Sequence, residues 1–260
     1  MTDRPLSLRD RLRRGPPLLA TFSIIASVEV VEMIGLAGFD AVILDMEHGP
    51  YGVQALGPLI LAARARGLFP VARVRTNEAS LIGAALDAGA AGVLVPQVPS
   101  ADAALAAVSA ARFAPEGSRG ANPWVRAADF TAGPDWFSRA NQDVAVMVMI
   151  EGKEGVQAVP EVLNTPTLDA VFLGPVDLSH ALGVPGQTEH PLVLERVERV
   201  VAQAAERGMA VAVFAPTPKA ARRWLDRGVR FVAVGVDTAH VLAGFRAAIT
   251  EISGGPAAQG

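Results

Sequence analysis

The chain is 260 residues long, 51% hydrophobic and formally −3 in charge at neutral pH, and it contains no cysteine. That length suits one large domain with a continuous core. Without a long basic block there is no footprint for a nucleic-acid backbone, and no apolar run approaches the ~20 residues that span a bilayer as a helix. The missing thiols exclude disulfides, thiolate metal ligands and a cysteine nucleophile. Nucleic acid and membrane are not expected partners, and the cytoplasm is the expected compartment.

In chain order, an amphipathic segment at Ser7 to Arg14 comes first. Arginines ahead of the apolar run Leu18 to Ala26 imitate a signal peptide, but Pro16 and Pro17 break its start and Glu29 and Glu32 follow at once. That run instead opens a series of eight: LLATFSII from 18, FDAVILDME from 39, PVARVR from 70, GVLVPQV from 92, VAVMVMIE from 144, LDAVFLGP from 168, AVAVFA from 210 and FVAVGVD from 231. Each is nearly continuous in Val, Ile, Leu, Ala and Phe, as in strands covered on both faces, and each precedes a stretch of helical period. Gly38, Gly67, Gly89, Gly208 and Gly228 stand just before strands, where a left-handed residue ends a helix.

Repeated βα units build either an open doubly wound sheet or a closed barrel. No GxGxxG follows the first strand, and the number of units matches closure. The expectation is therefore an α/β fold, a single-domain (β/α)8 TIM barrel over residues 1–253, with a disordered tail at 254–260. Residues 114–142 exceed ordinary loop length. With Trp124, Arg126, Phe130 and Trp136 they form either a site wall and subunit contact, or a surface loop on buried aromatic anchors.

Chemistry in such a barrel sits where strands end. Strand two ends in Asp45, Glu47 and His48, strand three carries Arg73, strand five ends in Glu151, strand six runs through Gly174, Pro175 and Val176 into Asp177, and strand eight ends in Gly235 and Asp237. Asp45 and Glu47 also read as caps or loop acids. Glu151 and Asp177 close apolar strands abruptly, so each needs a metal or a cation as partner, and hard oxygen ligands favour the metal. Arg73 and Arg75 are expected to separate, one into the barrel and one toward the helices. His180, His190 and His240 read as surface residues. If Asp177 starts a short helix, backbone N–H groups near it face the mouth and receive a carboxylate; otherwise the segment is an ordinary capped turn. AVGVD on strand eight lacks the second glycine-rich loop that a phosphate cradle needs.

The segments LDMEHGP (44–50), VARVRTN (71–77), AGAAGVLVPQV (88–98), EGSRG (116–120), MIE (149–151) and FLGPVDLS (172–179) together resemble the HpcH/HpaI family of class II pyruvate aldolases, in consistent order from about 15 to 250. The resemblance implies a pyruvate-type barrel that cleaves 4-hydroxy-2-oxo acids, such as sugar-derived ones, to pyruvate and an aldehyde. It implies Glu151 and Asp177 as ligands of a divalent metal ion, Mg²⁺, Mn²⁺ or Co²⁺, and Arg73 as the charge that neutralises the enolate. His48, oriented by Asp45, would be the base toward the C4 hydroxyl, acting through a water of the metal. The backbone from Gly174 through Pro175 and Val176 to Asp177 would hold the pyruvate carboxylate, Glu47 would support the metal's water shell, and Glu47 and Gln97 would border the substrate. Asp87 matches a position that reaches a neighbouring subunit's site, which implies a homo-oligomer, commonly a hexamer with exchanged C-terminal helices. Met149 departs from members that carry glutamine there and removes a polar contact.

Bond cleavage beside a carbonyl needs an electron sink, which a metal with Arg73 supplies and which a Schiff-base lysine supplies differently. The chain's lysines, Lys153 and Lys219, lie outside the strands, which disfavours the imine route. Two other readings keep the barrel: a CoA-thioester lyase of the citrate or malyl type, which lacks an obvious CoA groove here, and a catalytically silent binder.

Overall fold

The computed structural model describes residues 6–254. All eight expected strands form: β1 (Leu18–Ser23), β2 (Ala41–Asp45), β3 (Phe69–Arg73), β4 (Gly92–Val95), β5 (Ala145–Ile150), β6 (Ala170–Leu173), β7 (Ala210–Ala215) and β8 (Phe231–Val236). They pair in parallel in sequence order and close β8 onto β1. The doubly wound alternative is thereby excluded. The five glycines expected at helix ends all take positive φ, between 64° and 102°.

Strand alternation sorts the side chains into two layers. One parity points inward, with Leu18, Ala20, Ile43, Val71, Leu94, Met147, Phe172, Ala212 and Phe231 in one buried cluster. The other parity, including Val42, Leu44, Val93, Val148, Val171 and Val213, meets the helices. Continued upward, the inward parity of β2, β3 and β5 brings Asp45, Arg73 and Glu151 to the C-terminal mouth. Arg75 shares the parity of Arg73, so alternation does not separate the two; β3 simply ends at Arg73 and Arg75 stands exposed in the loop beyond.

The N-terminal end of the barrel is sealed. Helix Leu8–Arg14, capped by Ser7, buries Leu8 and Leu12 to 1% exposure beneath the strands. Gly92 lies where a Cβ would come within 2.7 Å of the Ala145 carbonyl and 3.0 Å of Leu8, so the plug needs glycine there. Asp169 clamps this end: it accepts from Arg9 Nε at 2.6 Å, from Arg112 Nη2 at 2.8 Å and from the Val146 amide at 2.9 Å.

Residues 114–142 form a 3-10 turn (Arg126–Ala128) and a helix (Trp136–Asp143). Phe113, Trp136 and Phe137 pack with ring centres 4.9–5.2 Å apart, while Trp124 is 74% exposed. The segment lines a cavity with Leu68, Phe69 and Val144 beside the starts of the strands, so it does not wall this chain's own C-terminal mouth. The last helix, Asp237–Ser253, leaves Phe245, Ile249 and Ile252 largely uncovered. Gly254 ends it in the left-handed conformation; the rest of the expected tail, 255–260, lies outside the described residues. Among those described, no helix is long and apolar enough to cross a membrane.

Candidate active site

β2 and β3 place Asp45 opposite Arg73 in register, 1% and 7% exposed. Arg73 Nε donates to Asp45 Oδ1 at 2.8 Å and Nη2 to Oδ2 at 2.5 Å, the two-pronged geometry that fixes a guanidinium most firmly. Asp45 Oδ1 also accepts the backbone N–H groups of Glu47 and His48, at 3.0 and 3.3 Å. Asp45 therefore orients His48 through its backbone, and the imidazole itself stands exposed. The Phe22 ring centre lies 4.7 Å from the Arg73 guanidinium, and Met149 Sδ lies 3.9 Å from Nη1. Arg73 Nη1 also faces Glu47 Oε2 at 3.1 Å, an ionic contact without hydrogen-bond alignment.

Glu151, just past β5, is 7% exposed. The backbone N–H of Gln97 donates to its Oε1 at 2.7 Å, while the Gln97 amide donates to Glu47 Oε1 at 3.0 Å. Gln97 takes a φ of 53° to reach both. Burial, and then the charges of Asp177 and Glu47, push Glu151 up to about 7, against the Gln97 hydrogen bond and Arg73. Glu151 Oε2 and Asp177 Oδ2 each lie 3.4 Å from where a Cβ on Gly174 would stand. The two oxygens thus face one small space that glycine leaves open, and neither carboxylate forms an ion pair among the described residues.

Those residues hold no ready-made cage of three or more acidic or imidazole ligands. Two carboxylate oxygens with the other positions open are nonetheless a donor set that Mg²⁺-like ions accept, since such ions keep several waters and share the rest with substrate. The residues present fit a hard divalent cation.

Two cavities meet here. A wide one of about 660 Å³ is lined by Glu47, Gln97, Glu151, Lys153 and His180 among others. A narrower one of about 310 Å³ is lined by Asp45, Arg73, Gly174, Phe22, Phe172 and Phe214 among others. His48 and Asp177 border both.

Gly174, Pro175 and Val176 lead from β6 into the short helix Pro175–Ala181, which carries Asp177. Asp87 lies away from the mouth, at the end of helix Ala79–Asp87, and accepts from Arg119 Nη2 at 2.6 Å. A Cβ on Gly235 would stand 3.0 Å from the His240 ring, and Asp237 accepts from Ser23 Oγ and the Ile25 amide, both at 2.9 Å, so the end of β8 braces β1. His180 is exposed as expected, yet it lines the wide cavity with Lys153. Sequence reasoning missed Phe22, Phe214 and Val236; their signal was apolar inward parity at the last position of a strand or next to it.

A closed parallel barrel with acids, a histidine and a buried arginine at its C-terminal mouth has the build of a barrel enzyme. The chain belongs to the HpcH/HpaI aldolase/citrate lyase family, whose model matches residues 19–243, and its chemistry is that of a carbon–carbon lyase. It is 38% identical to the 5-keto-4-deoxy-D-glucarate aldolase of Salmonella paratyphi C (strain RKS4594) over 235 residues, 90% of each chain. Among solved structures it resembles an HpcH/HpaI aldolase/citrate lyase family protein from Burkholderia cenocepacia J2315, with TM-score 0.90, 36% identity and coverage of 95% and 98% of the two chains. It also resembles an HpcH/HpaI aldolase from Desulfitobacterium hafniense DCB-2, with TM-score 0.90, 28% identity and coverage of 98% and 100%. The citrate-lyase alternative lies within the same family.

Proposed function

We propose that this chain is a class II aldolase that uses a divalent cation, Mg²⁺, Mn²⁺ or Co²⁺, held by Glu151 and Asp177. It cleaves a 4-hydroxy-2-oxo acid to pyruvate and an aldehyde, and it runs the addition in reverse. The observation that carries this reading is the convergence of Glu151 Oε2 and Asp177 Oδ2 beside Gly174, with Arg73 close by. Glu151 is buried without an ion-pair partner while Asp177 is exposed, and a hard cation between them relieves the buried charge. When bound, the ion supplies Lewis-acid polarisation of the 2-oxo group.

The chain's own residues do the rest. Arg73, held by Asp45, presents a preorganised positive charge where the 2-oxo oxygen becomes negative. His48, at the junction of the cavities, takes the C4 hydroxyl proton as the C3–C4 bond breaks. The electrons of that bond pass into the enolate of pyruvate, and protonation at C3 completes the product. The backbone of Gly174 to Asp177 receives the substrate carboxylate, and Glu47 and Gln97 hold the rim of the wide cavity. The uncovered apolar side of helix Asp237–Ser253 supports a homo-oligomer, by resemblance a hexamer, with Asp87 serving a neighbour's site. A cysteine-free chain suits the cytoplasm.

The test is release of pyruvate from a 4-hydroxy-2-oxo acid by chelated protein before and after Mg²⁺ or Mn²⁺ is restored. Cleavage that returns with the ion and is lost in Asp177→Ala is the expected result. Cleavage indifferent to chelation would contradict the proposal.

A further inference from the structure

His48 sits in a tight turn between β2 and helix Val53–Ala65, and its exposed imidazole makes no hydrogen bond among the described residues. The backbone of residues 46–52 therefore decides where the ring stands. At the near end of the turn Asp45 holds it: the carboxylate accepts the His48 N–H at 3.3 Å, and the Asp45 carbonyl accepts that of Gly49 at 3.1 Å. A Cβ on Gly49 would overlap that carbonyl and stand 2.8 Å from the Tyr51 ring, so the ring closes over the turn.

Tyr51 holds the far end and is 9% exposed. Its hydroxyl donates at 2.7 Å to the carbonyl of Ser23, the last residue of β1. Burial pushes that hydroxyl above its ordinary pKa, which keeps it a donor throughout neutral pH. Ser23 is itself held. Fully buried, it donates through Oγ to Asp237 Oδ2 at 2.9 Å. Asp237, 2% exposed, also accepts the N–H groups of Ile25 and Thr238, at 2.9 and 2.7 Å. A line of hydrogen bonds thus runs from the first residue of the last helix, through the end of β1, to the turn that carries His48.

We infer that Tyr51 is a positioning residue for His48, anchored through Ser23 on Asp237. This rests on the aldolase reading. Without the Tyr51 hydroxyl the turn keeps only its Asp45 end, and the imidazole spreads over several positions. Misplacing a proton acceptor costs rate rather than binding.

The test compares a reaction that needs His48 with one that does not. Retro-aldol cleavage must remove the C4 hydroxyl proton. Decarboxylation of oxaloacetate reaches the same enolate without that step: the bond from C3 to its carboxylate breaks, the electron pair enters the enolate, CO₂ leaves, and C3 takes a proton from solvent. With Mn²⁺ added and the uncatalysed rate subtracted, Tyr51→Phe should lower kcat for cleavage about 10-fold to 100-fold, while KM and decarboxylation stay within about twofold. In a His48→Ala background the same substitution should change cleavage by about twofold or less, because the group it positions is gone. Asp237→Asn, which leaves the Tyr51 ring in place, should move the ratio of cleavage to decarboxylation in the same direction. In cation-free Tyr51→Phe, amide hydrogen exchange across residues 46–52 should quicken about tenfold. Equal loss of both reactions, additive losses with His48→Ala, or a ratio unmoved in both variants overturns the inference and leaves the aldolase reading standing. Wild-type protein that catalyses neither reaction overturns both.

Discussion

Arg73 is buried, doubly bonded to Asp45 and stacked by Phe22, so its guanidinium is already fixed in orientation. Arg73→Lys keeps the charge and loses the fork. A fall in kcat of about 10²–10³ is expected, with thermal melting little changed; steady-state kinetics showing a loss below tenfold would count against its role. Glu151 adds a pH dependence. Folding raises its pKa from 4.5 to about 7, so between these values the folded chain binds more protons than the unfolded one. Cation-free stability therefore falls as pH rises from about 4.5 to about 7 and levels off above. Chelated Glu151→Gln should melt like wild type near pH 4.5 and be more stable by ~3 kcal/mol near pH 8; equal stability at both pH values would contradict the burial argument. At this scale the charged residues were legible because each interrupts an apolar run. Their bonding was not: that Asp45 would spend its lone pairs on Arg73 and two amides depends on β2 and β3 lying in register.

Among the elements, the strands were legible to within about three residues because parallel strands covered on both faces are continuously apolar. The same continuity hides which parity faces inward, and so concealed that Phe22, Phe214 and Val236 line the narrow cavity. Segment 114–142 was legible as an anomaly but not as a position, since the cavity it lines with Leu68, Phe69 and Val144 joins residues distant in sequence. Helix Leu8–Arg14 plugs the end opposite the chemistry. Leu8→Ala should cost about 2–5 kcal/mol in denaturant unfolding while KM stays within twofold; a large KM change with unaltered stability would show that the two ends are not independent.

For the molecule as a whole, barrel closure followed from the number of βα units, while the uncovered apolar face of the last helix did not, because only the folded chain shows which apolar residues stay exposed. Phe245, Ile249 and Ile252 form such a face on the last helix, with Ile252 82% exposed. Phe245→Glu should lower the mass measured by light scattering toward that of a single chain, and an unchanged mass would remove this face from the interface. The most direct test of the chemistry is proton–deuterium exchange at the pyruvate methyl group in D₂O, followed by NMR in chelated protein with and without added Mg²⁺ or Mn²⁺, with Glu151→Ala as control. The expected result is exchange that needs the ion and disappears in the variant; no exchange with any divalent ion would contradict enolate formation at Arg73 and the aldolase assignment with it.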